Sequence, residues 1–316
     1  MNLSDISKLS EEQAREYFEK IRWPNGPLCP HCGSTKAIKL GGNSHRPGLY
    51  KCHGEDCGKQ FTATVNTILE DSHLPIRLWL MTFAILTTAK KGVSALQLQR
   101  QLGIGSYRSA WHLCHRIRHA MGKEPLKGLL LGAGGKDVAV DETYIGGKPR
   151  KFTGRHIQGR GTKKTPVVAL IERGGGARAM VVGDVSARTL KKAIRENVDK
   201  SARIMTDELR SYQGIGKEFE GGHVTVNHAA GEYSRDGIGT NEAEAYFALL
   251  KRGIVGSFHH VSKKHLPKYV DEFSYRWDRR KMSDGERTND AIKSSEGKRL
   301  MLKEPIKKEK LSFWDL

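Results

Sequence analysis

Val138-Ala-Val-Asp-Glu-Thr-Tyr-Ile145 is the stretch on which the fold turns. Its β-branched and aromatic residues predict a strand, and that strand carries a carboxylate, Asp141, directly after three apolar residues. A carboxylate inside a sheet is costly unless a cation or hydrogen bonds satisfy it, so the stretch reads as a core element and as a candidate site. Outward from it, residues 167–171 and 179–182 predict a second and a third strand, and residues 187–198 a helix. A short strand at 203–206, a short helical or irregular stretch, a strand at 223–227 and a long helix at 241–252 follow. Three strands that can meander, followed by alternating helix and strand, predict an α/β fold with a mixed sheet flanked by helices.

Two further acids fall at telling places in that order. Asp207 ends the fourth strand, and Glu244 follows it by 37 residues on the next long helix. Brought together, Asp141, Asp207 and Glu244 would bind one or two hard divalent ions through oxygen, the usual arrangement for phosphodiester chemistry. Asn241 lies three residues before Glu244 and shares its helix face, although the same spacing also suits a capping box that merely starts the helix. Lys251 lies two turns beyond Glu244 on that face, where its ammonium can reach a phosphate held at the acids; an ordinary surface lysine has the same look. Glu142 and Glu208 adjoin the chosen aspartates, and in extended backbone a neighbour points the other way.

Charge sets the class of partner. In 316 residues, 54 Lys and Arg against 35 Asp and Glu leave a net charge of +19, which points to a polyanion, with nucleic acid foremost. The most apolar stretch, 78–88, is interrupted by threonines and is too short for a bilayer. The first residues lack a charged and apolar leader, so the expected location is the cytoplasm, with no membrane partner.

Four of the five cysteines sit in two close pairs. Cys29-Pro-His-Cys32 and Cys52-His-Gly-Glu-Asp-Cys57 are separated by 19 residues, enough for the strands between two knuckles. Four thiolates at tetrahedral geometry describe a closed structural Zn²⁺ site, favoured over disulfides by the compartment. Gly33 and Gly58 follow the second cysteine of each pair, where a knuckle needs positive φ. His31 and His53 are bystanders in this reading, and Cys114 is a small core residue. Ahead of the ribbon, Ser10-Glu-Glu-Gln13 opens a helix that runs to about Arg22.

Residues 75–121 are helical throughout. Ser94 caps a second helix, Gly103-Ile-Gly105 turns, and Ser106 caps a third, so the segment reads as a helix-turn-helix. On the third helix Arg108, His112 and Arg116, with His115 and His119, lie opposite an apolar face, as on a helix seated in a major groove. A three-helix bundle with a solvated basic face fits the pattern too. Between the first two strands, Lys148, Arg150, Lys151, Arg155, Arg160, Lys163 and Lys164 form a loop without acids, suited to a phosphate backbone. Arg252, His259 and His260 begin a second positive cluster. The expected organisation is an N-terminal helix (1–26), a zinc ribbon (27–70), a helix-turn-helix domain (71–131), a catalytic domain (132–281) and a basic tail (282–316).

Val140-Asp-Glu-Thr-Tyr144, Thr206-Asp-Glu-Leu-Arg-Ser-Tyr212, the stretch from Thr240-Asn-Glu-Ala-Glu through Leu-Lys-Arg-Gly253, and Gly256-Ser-Phe-His-His-Val-Ser-Lys-Lys-His-Leu266 resemble the insertion-sequence transposases of the zinc-ribbon DDE type, the ISXO2-like group. The likeness runs from Arg22-Trp-Pro to Arg280; Phe247 stands where Trp is common and Asp278 where Asn is frequent. The resemblance implies a ribonuclease-H-like core preceded by a small zinc ribbon and a helix-turn-helix. It implies a metal triad of Asp141, Asp207 and either Glu244 or Asn241 as the third ligand; Glu244 is preferred, because a carboxylate binds Mg²⁺ better than an amide. It further implies two Mg²⁺ or Mn²⁺ ions, 3′-end cleavage and strand transfer. The DNA partners would be the terminal inverted repeats of its own element and a target, held by a homodimer or larger assembly associated with the nucleoid. Other classes share parts of this pattern. A zinc-ribbon and helix-turn-helix regulator would not need the acids, a silent domesticated relative would bind without cutting, and a related nuclease would only hydrolyse.

Overall fold

Strand β4 (Asp137–Ile145) contains the whole 138–145 stretch and stands at the centre of a five-stranded sheet. The computed structural model describes residues 1–42, 45–122, 130–146, 164–226 and 240–302. Strands β5 (Thr165–Glu172) and β6 (Ala177–Val181) follow β4 as an antiparallel meander. Helix α6 (Ala187–Asn197) then leads to β7 (Arg203–Thr206), parallel to β4 on its other side, and β8 (His223–Thr225) lies parallel to β7. The order β6-β5-β4-β7-β8, with β5 alone running against the rest, is a ribonuclease-H-like mixed sheet.

Both faces of the sheet are covered, which is why β5 is apolar almost without interruption. Val138, Val140 and Ile204 pack under Leu190 and Ile194 of α6. Ala139 and Met205, their neighbours in sequence, pack on the opposite face under Ala243, Tyr246, Phe247 and Leu250 of α7 (Asn241–Arg252) and under α8 (Leu266–Asp278). This alternation of faces decides where the acids point.

The N-terminal half has its own core. Helices α1 (Leu3–Ser7) and α2 (Glu11–Arg22) precede a three-stranded antiparallel sheet of β1 (Ala37–Lys39), β2 (Leu49–Cys52) and β3 (Gln60–Thr62). Ser10 and Gln13 form the expected capping box on α2. Trp23, Tyr50 and Phe61 join helix to ribbon, their rings 5.4–6.0 Å apart. Helices α3 (Ile76–Thr88), α4 (Ala95–Leu102) and α5 (Tyr107–Met121) follow; Ser94 caps α4 at its start, and Gly103, at φ +64°, ends it in the left-handed region.

Helix α5 is less free than its pattern predicts. Arg118 is buried and ion-paired with Glu272 of α8, which also pairs with Arg276. Burial opposes the charge on Glu272, but the two guanidiniums outweigh it and hold the carboxyl below its usual range. Arg116 is buried too, its guanidinium 5.2 Å from the Trp79 ring and bonded to the Glu70 carbonyl. His112 is half-buried, and burial first, then the Arg116 charge, lowers its pKa. The open basic face is thus corrected: of Arg108, His112 and Arg116, Arg108 alone is fully exposed.

The segment expected as a tail begins with a helix. α9 (Asp284–Lys293), with Ser283 and Glu286 as its capping box, sends Ala291 and Ile292 into the N-terminal core. Residues 294–302 then run along the ribbon and α5: Ser295 accepts from Ile68, and Lys298 donates to the carbonyls of Ala120 and Gly122. Among the described residues no helix is long and apolar enough to cross a membrane.

Candidate active site and metal centre

The β4–β7 register brings two of the acids side by side. Ala139 and Met205 form the last pair of these parallel strands, and Asp141 and Asp207 each lie two residues further on. Asp141 continues the face of Ala139, the one under α7. Asp141 still lies within the ladder, opposite Ala169 of β5, whereas Asp207 is the first residue past the end of β7. Glu142 takes the other face, as expected, and accepts a hydrogen bond from the Tyr212 hydroxyl at 2.8 Å. Glu208 is exposed.

Electrostatics ties the third acid to the pair. Burial first, and then the charges of Glu142, Asp207 and Glu244, push the Asp141 carboxyl up to about 7, against a hydrogen bond from the Glu142 main chain that favours ionisation. A cation beside Asp141 would favour its ionised form. Glu244 is exposed on α7, in one stripe with Asn241 and Lys251, while Ala243, Tyr246, Phe247 and Leu250 face the core. Thr240, not Asn241, is the N-cap of α7, and the Glu244 N–H bonds to the Thr240 carbonyl; the Asn241–Glu244 capping box does not form.

The four cysteines come together. Their sulfurs all lie within 4.8 Å of one another, the one such group of possible ligands among the described residues. Sγ–Sγ distances of 3.8 Å for Cys29–Cys57 and 3.6 Å for Cys32–Cys52 match the edge of a tetrahedron with bonds of about 2.3 Å. Gly33 and Gly58 have the positive φ expected of them, 74° and 57°. Burial works against ionisation of Cys29, yet main-chain hydrogen bonds at His31 and Cys32 outweigh it and lower its pKa, whereas at Cys32 and Cys52 main-chain hydrogen bonds at Ser34 and Gly54 are outweighed by burial and by the thiols beside them, which shift both up. Cys114 is buried apart from them in the core, and burial pushes its thiol up to about 11.

Lys148, Arg150, Lys151, Arg155, Arg160 and Lys163 lie outside the described residues, and Lys164 is half-buried at the start of β5. Arg252, His259 and His260 are exposed where α7 passes through a π-helical turn (Gly253–Phe258) toward α8. Two arrangements escape a reading of the sequence. The Tyr212–Glu142 contact joins residues 70 apart, and its one sequence signal is the place of Tyr212 in the Thr206–Tyr212 motif. The Arg118–Glu272 pair spans 154 residues and has no sequence signal.

Comparison with known proteins supplies two domain matches. Residues 130–278 match the ISXO2-like transposase domain, and residues 9–60 match the transposase zinc-ribbon domain. No curated protein matches the chain. Among solved structures, one described as a pre-cleavage Mos1 transpososome matches at 17% identity, over 71% of this chain and 80% of that one, with a TM-score of 0.25. The two domain matches follow each other in one chain, the first on the four-cysteine sheet and the second on the sheet that carries Asp141 and Asp207, so the chain carries a transposase zinc-ribbon domain followed by an ISXO2-like transposase domain.

Proposed function

We propose that the protein cuts the 3′ ends of its own insertion sequence and joins them to target DNA, with Asp141, Asp207 and Glu244 as ligands of two Mg²⁺ or Mn²⁺ ions. The observation that supports this reading is that Asp141 in β4 and Asp207, just past the end of the parallel neighbour β7, lie close enough to each other and to Glu244 for the charges of Asp207 and Glu244 to add to burial in raising the Asp141 carboxyl. The donor set is all oxygen, as hard divalent ions require. When bound, the ions supply Lewis-acid stabilisation of the attacking and leaving oxygens in an in-line displacement.

The chain's own residues then have separate tasks. The three carboxylates would hold the ions, and Asn241 lies beside Glu244 as the alternative third ligand. Lys251, further along the stripe, places its ammonium against a phosphate of the bound strand. Cys29, Cys32, Cys52 and Cys57 hold a structural Zn²⁺ that closes the ribbon. Ribbon and helix-turn-helix bind the terminal inverted repeats, with Arg108 at the exposed start of α5. The basic loop from Lys148 to Lys164, together with Arg252, His259 and His260, follows the phosphate backbone. Two ends are cut in one synapse, so the working form is at least a homodimer, acting in the cytoplasm on nucleoid DNA.

The test combines zinc-loaded protein, labelled DNA from the repeats that flank its gene, and a target plasmid, with and without Mg²⁺. The expected result is Mg²⁺-dependent cleavage and joining by the wild type and neither by Asp207→Asn. Cleavage without joining would make it a nuclease, and binding without either would make it a regulator or a silent relative.

A further inference from the structure

Tyr212 and Glu142 form a contact for which the metal reading has no use. Tyr212 is fully buried on the α6 face of the sheet, and its hydroxyl donates to Glu142 Oε2 at 2.8 Å. Each partner is tied to one aspartate. Glu142 follows Asp141 on β4, and its N–H donates to Asp141 Oδ1 at 2.7 Å. Tyr212 closes the turn that starts at Asp207: the Leu209 N–H donates to Asp207 Oδ1 at 3.1 Å, and the Tyr212 N–H donates to the Leu209 carbonyl at 3.0 Å. Ser211 anchors the same turn by donating from Oγ to the Val185 carbonyl at 3.0 Å.

Asp207 lies past the end of β7, so the β4–β7 ladder does not fix its carboxylate. The turn fixes it, and Tyr212 ties the turn back to the strand of Asp141. We propose that the Tyr212–Glu142 hydrogen bond is a latch that sets the position of Asp207 relative to Asp141, which makes Tyr212 and Glu142 positioning residues for the divalent ions. The inference rests on the metal reading above. Its physical basis is that the two aspartates repel each other and a relaxed turn would let them part, so that each ion would have to reassemble its ligands on binding. Mg²⁺ and Mn²⁺ favour near-octahedral oxygen sites, which makes such slack costly. A hydrogen bond between a buried phenol and a carboxylate is of the charge-assisted kind, and loss of partners that orient metal ligands typically weakens affinity by about 10–100-fold.

The experiment measures Mn²⁺ binding by calorimetry on the zinc-loaded full chain, with thermal unfolding in parallel. Tyr212→Phe keeps the ring and removes the donor, and is expected to weaken Mn²⁺ binding by about tenfold while melting within a few degrees of the wild type. Glu142→Gln retains an acceptor oxygen but loses the charge that acts on Asp141, and is expected to bind Mn²⁺ more weakly than the wild type and more tightly than Glu142→Ala. Glu142→Ala should lose at least as much as Tyr212→Phe, and the double variant should bind no more weakly than Glu142→Ala alone, because the phenol acts through that carboxylate. Glu142→Ala carries the same test should Tyr212→Phe fail to fold. Unchanged Mn²⁺ affinity in a folded Tyr212→Phe, a loss of melting temperature alone, or additive losses would each overturn the latch. Asp207→Asn keeps the two failures apart: if the wild type binds no Mn²⁺, or Asp207→Asn binds it equally well, the metal reading falls and the latch with it.

Discussion

Asp141→Asn should make the metal-free protein more stable while abolishing its activity. In the unfolded chain the Asp141 carboxyl ionises at its ordinary 3.8, and in the fold burial and its acidic neighbours raise it to about 7. The folded state therefore favours the protonated form. The group costs nothing below its unfolded pKa, and its cost grows as pH rises, until the folded carboxyl itself ionises near 7. At about 1.4 kcal/mol for each pH unit, the wild type carries about 2 kcal/mol of destabilisation at pH 5.5 and about 4 kcal/mol at pH 8, relative to a neutral side chain of the same shape. Asparagine is that side chain, and its Oδ1 can still accept the Glu142 N–H that now reaches Asp141 at 2.7 Å. Urea unfolding followed by circular dichroism, in zinc-containing buffer free of Mg²⁺ and Mn²⁺, measures the difference. The variant should be the more stable at both pH values, by about 2 kcal/mol more at pH 8 than at pH 5.5. An advantage that is absent, reversed or independent of pH would refute the reasoning.

Other consequences follow from the same structure. Cys32→Ser should lower zinc content well below one ion per chain by metal analysis and loosen the Trp23–Tyr50–Phe61 cluster, visible as a shift in tryptophan emission; full retention of zinc would exclude the four-cysteine site. Glu272→Ala strands the buried Arg118 and Arg276 charges and should cost about 3–5 kcal/mol in urea unfolding, with a loss below about 1 kcal/mol counting against the account. Arg108→Ala should weaken binding to repeat DNA and reduce the salt slope in fluorescence anisotropy by about 1. Arg116→Ala should leave that slope alone and cost about 1–2 kcal/mol of stability through its lost contacts with Trp79 and Glu70.

The elements around Asp141 were legible because local chemistry decides them. Val138 and Val140 face one way and Ala139 and Asp141 the other, and the apolar run of β5 needs cover on both faces, so a mixed sheet flanked by helices and the direction of Asp141 follow from period and spacing, while the strand order does not. The cysteine pairs were legible for the same reason, since a knuckle is built from neighbours in sequence. What escaped depends on surfaces distant in sequence. Arg116 looks like one more cation on a basic helix until Trp79 and the Glu70 carbonyl close over it, and His112 until residues near 300 run past it. α9 offered Ala291 and Ile292 as its main apolar contacts, too few to stand out in a lysine-rich stretch, and its capping box decides the helix only once the core of α2 and α3 is there to receive it. The acids' positions could be read, whereas the Tyr212–Glu142 contact beneath them could not, because nothing in either motif says that their side chains meet.

The most direct test of the central claim is an anomalous difference map from crystals of the zinc-loaded protein grown with Mn²⁺ and repeat DNA. The account predicts two Mn²⁺ peaks among Asp141, Asp207 and Glu244, each within about 2.3 Å of carboxylate oxygen, with none at these acids in Asp207→Asn. Mn²⁺ bound away from Asp141 and Asp207, or no peak there while the DNA is in place, would contradict it.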